Sequence, residues 1–97
     1  MSIPDKTAQR LVAILREVAA HRVRTPDRIV DSVDGDSTAI CWFAGNAQAD
    51  IEVFHDGECL AAIPVGGGIP ATIVGVEETP VGIRIALDLI ADAMKPA

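Results

Sequence analysis

Aromatic side chains are nearly absent from this sequence. It holds no tyrosine, and Trp42, Phe43 and Phe54 are its three aromatic residues. A core must then be assembled from Val, Ile, Leu and Ala. Cysteine is scarce too. Cys41 and Cys59 show no CxxC spacing, and with His21 and His55 they are the only thiols and imidazoles in the chain. That set is too sparse for the three or four ligands of a zinc site, so no metal and no cofactor are expected. Long apolar runs are also missing, since nothing approaches the ~18 residues that mark a membrane span. The opening MSIPDKTAQR lacks an apolar signal core. A cytoplasmic, reducing setting with no membrane partner is therefore expected.

Positive charge is the most telling absence. No Lys or Arg occurs between Arg28 and Arg84. Residues 1 to 28 carry six cations against three acids, and the remainder carries two against eleven, for a net charge of −6. An acidic chain is repelled by phosphate backbones, so nucleic-acid binding is not expected. The basic N-terminal segment either offsets the acidic remainder within the fold or meets an acidic partner.

What is present points to a small greasy domain. A chain of 97 residues suits one domain over residues 1–97, burying roughly 64% of the surface its extended form exposes. The apolar fraction is 49% and the mean hydropathy is +0.33. So short a chain cannot hide that much apolar surface alone, which predicts a homodimer.

Periodicity supplies the elements. Residues 3–20 read as an amphipathic helix with Pro4 and Asp5 at its start and a stripe of Ala8, Leu11, Leu15, Val18 and Arg22, widened by Val12, Ile14 and Ala19. Pro26 closes it off. IVDSVDGDSTAICWF reads as strand, Asp34-Gly35 turn, strand. ADIEVF and ECLAAIPV read as a second hairpin about Asp56-Gly57, and ATIVGV as a further strand. Thr79 and Pro80 suit the N-cap and first position of a final helix whose apolar residues nearly encircle it, leaving Arg84, Asp88, Asp92 and Lys95 as a polar strip. Arg84 and Asp88 can pair at i, i+4. One sheet face cannot bury so wide a stripe. This helix should lie between the sheet and the first helix, or also meet a second subunit through residues such as Ile85 and Leu89. The fold class expected is α+β: an N-terminal helix, an antiparallel meander of four to five strands and a C-terminal helix, both helices on one face.

A two-residue turn at Asp56-Gly57 would pair Val53 with Leu60 and Phe54 with Cys59. With Phe43 opposite Asp50, the helix-covered face would hold Ile40, Trp42, Ile51, Val53, Leu60 and Ala62. The other face would hold Cys41, Phe43, Glu52, Phe54, Cys59 and Ile63. This mixed face is the candidate ligand or partner surface, with Glu52, Phe43, Phe54 and Cys41 its candidate residues.

The remaining motifs carry little chemistry. PVGGGIP, residues 64–70, lacks the GK[ST] and following helix of a phosphate loop and fails GxGxxG at Ala71, so it reads as a turn between strands. Asp31, Asp34 and Asp36 lack calcium-loop spacing. No Ser-His-Asp or Cys-His set emerges, and no catalytic residue is expected. Glu52, mid-strand between Ile51 and Val53, is either a solvent-facing residue or a carboxylate set to hold a ligand amine.

Residues 26–63 resemble a pattern found in small bacterial proteins: a proline and short strand, a DG turn, an aromatic-ended strand, an adIE-x-F strand and an x-D-G-E turn. Pro26, Asp34, Gly35, Trp42, Phe43, Ala49 to Glu52, Phe54 and Asp56 to Glu58 carry the likeness. It implies the β-meander and no catalytic residue. Acidity, size and the apolar excess make a non-enzymatic, homodimeric protein-interaction module the leading expectation, of the kind seen in chaperones of secreted effectors, immunity proteins and antitoxins. The alternative is a small-molecule binder or minor enzyme with a pocket between sheet and helices and Glu52 or His55 inside it.

Overall fold

A computed structural model describes residues 5–21, 23–64 and 71–94. In chain order the elements are α1 (Asp5–Ala20), β1 (Arg28–Asp31), β2 (Ser37–Ala44), β3 (Ala47–Phe54), β4 (Cys59–Ile63), β5 (Thr72–Gly75) and α2 (Pro80–Ala93). The strands form a five-stranded antiparallel sheet in the order β1-β2-β3-β4-β5. α1 meets β3 and α2 meets β4, so both helices cover one face, as the pattern predicts. The helices lie side by side. α2 is not sandwiched between α1 and the sheet, and its outward residues Val81, Ile85 and Leu89 stay 64%, 58% and 42% exposed.

The stripe on α1 is rotated from the one expected. Thr7, Leu11, Ile14 and Val18 are buried, whereas Val12 is 46% exposed. The cause is the neighbouring helix, which shields the α1 flank carrying Arg10, Glu17 and His21. Ion pairs and hydrogen bonds cross that seam. Arg84 Nε donates to Glu17 Oε1 at 2.8 Å, and His21 Nε2 lies 2.6 Å from Asp88 Oδ1. Arg84 and Asp88 thus both reach α1, where the sequence suggests that they pair with each other. Arg22, placed on the stripe by periodicity, lies outside the described residues.

α2 begins as its sequence predicts. Thr79 accepts a hydrogen bond from Gly82 N at 3.0 Å, and Pro80 opens the helix. Gly82 looks misplaced inside a helix. A Cβ there would stand 2.2 Å from the Glu77 carbonyl oxygen, so the close approach of the incoming chain requires glycine.

The β2–β3 hairpin closes on Gly45 and Asn46, pairing Ala44 with Ala47, Ile40 with Ile51 and Trp42 with Ala49. Phe43 therefore faces Gln48 rather than Asp50. The slip is an even number of residues, so every side chain keeps its expected face.

The β3–β4 hairpin does not. Its loop is three residues long, His55 to Gly57. Gly57 N donates to Phe54 O at 3.1 Å, and Phe54 N donates to Glu58 O at 2.8 Å. Gly57 takes φ +113°, a value open to glycine, and so adds one residue to the turn. Val53 pairs with Cys59, Glu52 with Leu60 and Ile51 with Ala61. A one-residue slip exchanges the two faces of β4. Cys59, 4% exposed, and Ala61, wholly buried, enter the core. Ile63 packs against that core, and Leu60 and Ala62 turn to the helix-free face. The expected placement of Cys59, Leu60, Ala62 and Ile63 is thereby reversed.

Ile14, Ile40, Trp42, Ile51, Val53, Leu87 and Ile90 form the centre of the core. Trp42 keeps its indole satisfied by donating to Arg24 O at 2.7 Å. Arg10 ties the helix layer to the β3–β4 turn. Its guanidinium donates to Glu78 at 2.5 and 2.9 Å, to Phe54 O at 2.7 Å and to Glu58 O at 3.0 Å. Part of the N-terminal positive charge is thus spent within the fold.

Candidate functional site

The helix-free face of the sheet is the candidate site. Its register brings together Arg28 and Val30 of β1, and Ser37, Ala39, Cys41 and Phe43 of β2. β3 adds Gln48, Asp50, Glu52 and Phe54, and the far side adds Leu60, Ala62 and Ile73. All four candidates named from the sequence, Cys41, Phe43, Glu52 and Phe54, lie on this face. Phe43, Glu52 and Phe54 are half-buried, but Cys41 is only 2% exposed and cannot meet a partner directly. The Arg28 guanidinium stands 6.0 Å from the Phe43 ring centroid.

β3 is the central strand, so Asp50 and Glu52 occupy the middle of the face, two residues apart on one side. Asp50 lies between Cys41 and Ala62, and Glu52 between Ala39 and Leu60. Glu52 accepts a hydrogen bond from the buried Ser37 hydroxyl. Burial, and then the neighbouring charge of Glu52, push the Asp50 carboxyl above the ordinary carboxylate range. Burial likewise raises the Cys41 thiol. Sequence reasoning picked out Glu52 and passed over Asp50. The alternation D-I-E with Ile51 pointing inward carried that signal.

One end of the face deepens into a cleft of about 620 Å³ between the β1–β2 and β3–β4 turns. Ser32, Asp34, Asp36, Ser37, Glu52, Phe54, His55 and Asp56 line it. The β1–β2 turn is held by Ser32, whose hydroxyl donates to Asp34 Oδ1 at 2.8 Å and accepts from Asp36 N at 3.0 Å and Ser37 N at 3.1 Å. The Ser32 hydroxyl, with the Asp36 amide, lowers the Asp34 carboxyl. His55 N donates to Asp36 O at 2.9 Å and joins the two turns. Its Nε2 is buried with no hydrogen-bond partner among the described residues. Glu52 and His55 do share a cleft, but on the side of the sheet away from the helices.

Among the described residues, no group of three or more His, Cys, Asp or Glu is placed to hold a metal ion. Cys59 and Cys41 are free and project from opposite sheet faces. No described helix is long and apolar enough to cross a membrane. The glycine triplet, residues 66–68, lies outside the described residues. No protein-family model, no curated protein and no solved structure matches this chain.

Proposed function

We propose that this chain is a non-enzymatic protein-binding module and that the helix-free sheet face is its docking surface. One observation carries the reading. Both helices cover the same side of the sheet, leaving the other side of the five strands without a covering element among the described residues, and that side presents Val30, Leu60, Ala62 and Ile73 around a polar centre. Antiparallel sheets tolerate one wet face, but such a face is ordinarily polar throughout. The test is affinity capture from native cells with the wild type and with Leu60→Arg and Ile73→Arg, two outward substitutions that leave the core intact. The reading predicts that a protein held by the wild type is lost from both variants. Undiminished capture would contradict it. A melting temperature raised several degrees by a metabolite screen would favour the small-molecule alternative, with the ligand in the cleft beside Glu52 and His55.

Self-association is a second reading, favoured by α2. Val81, Ile85 and Leu89 form an exposed apolar line at i, i+4 and i+8, with Arg84 and Asp88 one turn apart along its flank. Two copies can pack this line against itself about a two-fold axis while Arg84 and Asp88 keep their partners on α1. Three side chains cover far less than the ~800 Å² per partner of a stable interface, so this dimer is weak. Sedimentation velocity across a concentration series should show reversible association that Leu89→Lys abolishes. A monomer at every concentration would end the proposal.

A further inference from the structure

The docking face has a charge of its own, and that charge selects the partner. Asp50 and Glu52 stand at its centre, and Asp34, Asp36 and Asp56 line the cleft at its end. Among the described residues, Arg28 is the one cation on the face, at the edge strand and over the Phe43 ring. β2 to β5 lie within the stretch that has no Lys or Arg. β2 to β5 therefore bring no counter-charge to the central carboxylates, and Arg28 of β1 stands two strands away from Asp50 on the same cross-strand row. Burial at Asp50 means that water solvates this charge incompletely.

Resting on the reading of this face as the docking surface, we propose that its occupant is a cationic amphipathic segment of another protein. Its Lys or Arg side chains lie over Asp50 and Glu52 and reach the cleft, and its apolar side chains cover Leu60, Ala62 and Ile73. Five strands spaced ~4.8 Å apart place the outer two about 19 Å from each other, the reach of an extended segment of roughly six residues. A second copy of this chain does not fit here. Two-fold packing of the same patch would press the carboxylate pair toward its own equivalent, and like charges brought together out of water oppose docking. Anionic lipid surfaces and nucleic acids are repelled for the same reason.

The experiment uses the whole chain, labelled with ¹⁵N, and three acetylated octapeptides in which Val alternates with Lys, Gln or Glu. The Lys peptide is expected to shift the amide resonances of Ala39, Asp50, Glu52 and Leu60. Its affinity should fall as salt rises, and by about tenfold in Asp50→Asn/Glu52→Gln. Salt dependence is read on the wild type, so the test survives if the double variant folds poorly. Equal binding of the Gln peptide on the same face, or indifference to salt, would overturn the charge inference and leave the docking face standing. If all three peptides leave the face unperturbed, or shift only α2, the inference and the docking reading fall together.

Discussion

Asp50 is the residue on which the electrostatics turn. Its carboxyl is pushed up in the folded chain by burial and by Glu52, while Gln48 bonds to it and pulls the other way. A raised folded value means that the native state holds its proton more tightly than the unfolded state does. This group's contribution to stability is therefore greatest at low pH. It is lost as pH rises from the ordinary carboxylate range near 4 through the raised value. Asp50→Asn removes the titration. In urea unfolding between pH 4 and 7, the variant should gain on the wild type as pH rises, and a constant difference would speak against the assigned environment. Cys59 gives a second residue-scale prediction. Burial, then the Glu78 charge, push its thiol up to about 11, with Arg10 opposing. At pH 8 roughly one molecule in a thousand carries the thiolate. Alkylation by iodoacetamide should be at least about a hundredfold slower in the native chain than in urea. Fast native labelling at Cys59 would place it on the surface.

Cys59 also marks where an element was misread. The helices, the five strands and the capped start of α2 were legible because proline, Thr79 and the change of hydrophobic period act locally. The register of β4 was not. Asp56-Gly57 serves a two-residue and a three-residue turn equally well by composition. What decides is the set of partners around it: Phe54 and Glu58 bonded across the loop, Arg10 donating to both of their carbonyls, and His55 N bonded to Asp36 O. Those contacts come from α1 and from the β1–β2 turn, which lie far away in sequence. The candidate face was half legible, since β2 and β3 kept their parity while β4 exchanged its sides. The observed register makes a sharp prediction. Leu60→Arg should change stability by less than about 1 kcal/mol, as outward strand substitutions do. Ala61→Arg, which buries an unpaired charge at a fully enclosed site, should cost more than about 4 kcal/mol or unfold the chain. Chemical denaturation of the two variants reads this directly, and the reverse order would restore the two-residue turn. Gly82→Ala offers a test on α2. Helix propensity alone favours alanine by about 0.8–1 kcal/mol. The carbonyl of Glu77 stands where the new methyl would go. The substitution should therefore lower the melting temperature, whereas a rise would mean that the chain before α2 lies farther off.

At the scale of the molecule, the fold separates its charges. Cations gather on the helical side, where Arg10 meets Glu78 and Arg84 meets Glu17. The bare side of the sheet keeps a carboxylate pair at its centre and a cleft of aspartates at its end. One layer of helices cannot cover both faces of a five-stranded sheet, and the residues left uncovered are neither uniformly polar nor uniformly apolar. That composition is the ground on which we propose a partner of opposite charge. The most direct measurement is the peptide preference of the whole chain before and after the negative charge of the face is cancelled, using Glu52→Lys with Asp56→Lys and circular dichroism to confirm the fold. The account predicts that the wild type prefers the Lys-Val octapeptide to the Glu-Val one and that the variant loses this preference. An order of preference that stays the same in both proteins would contradict it.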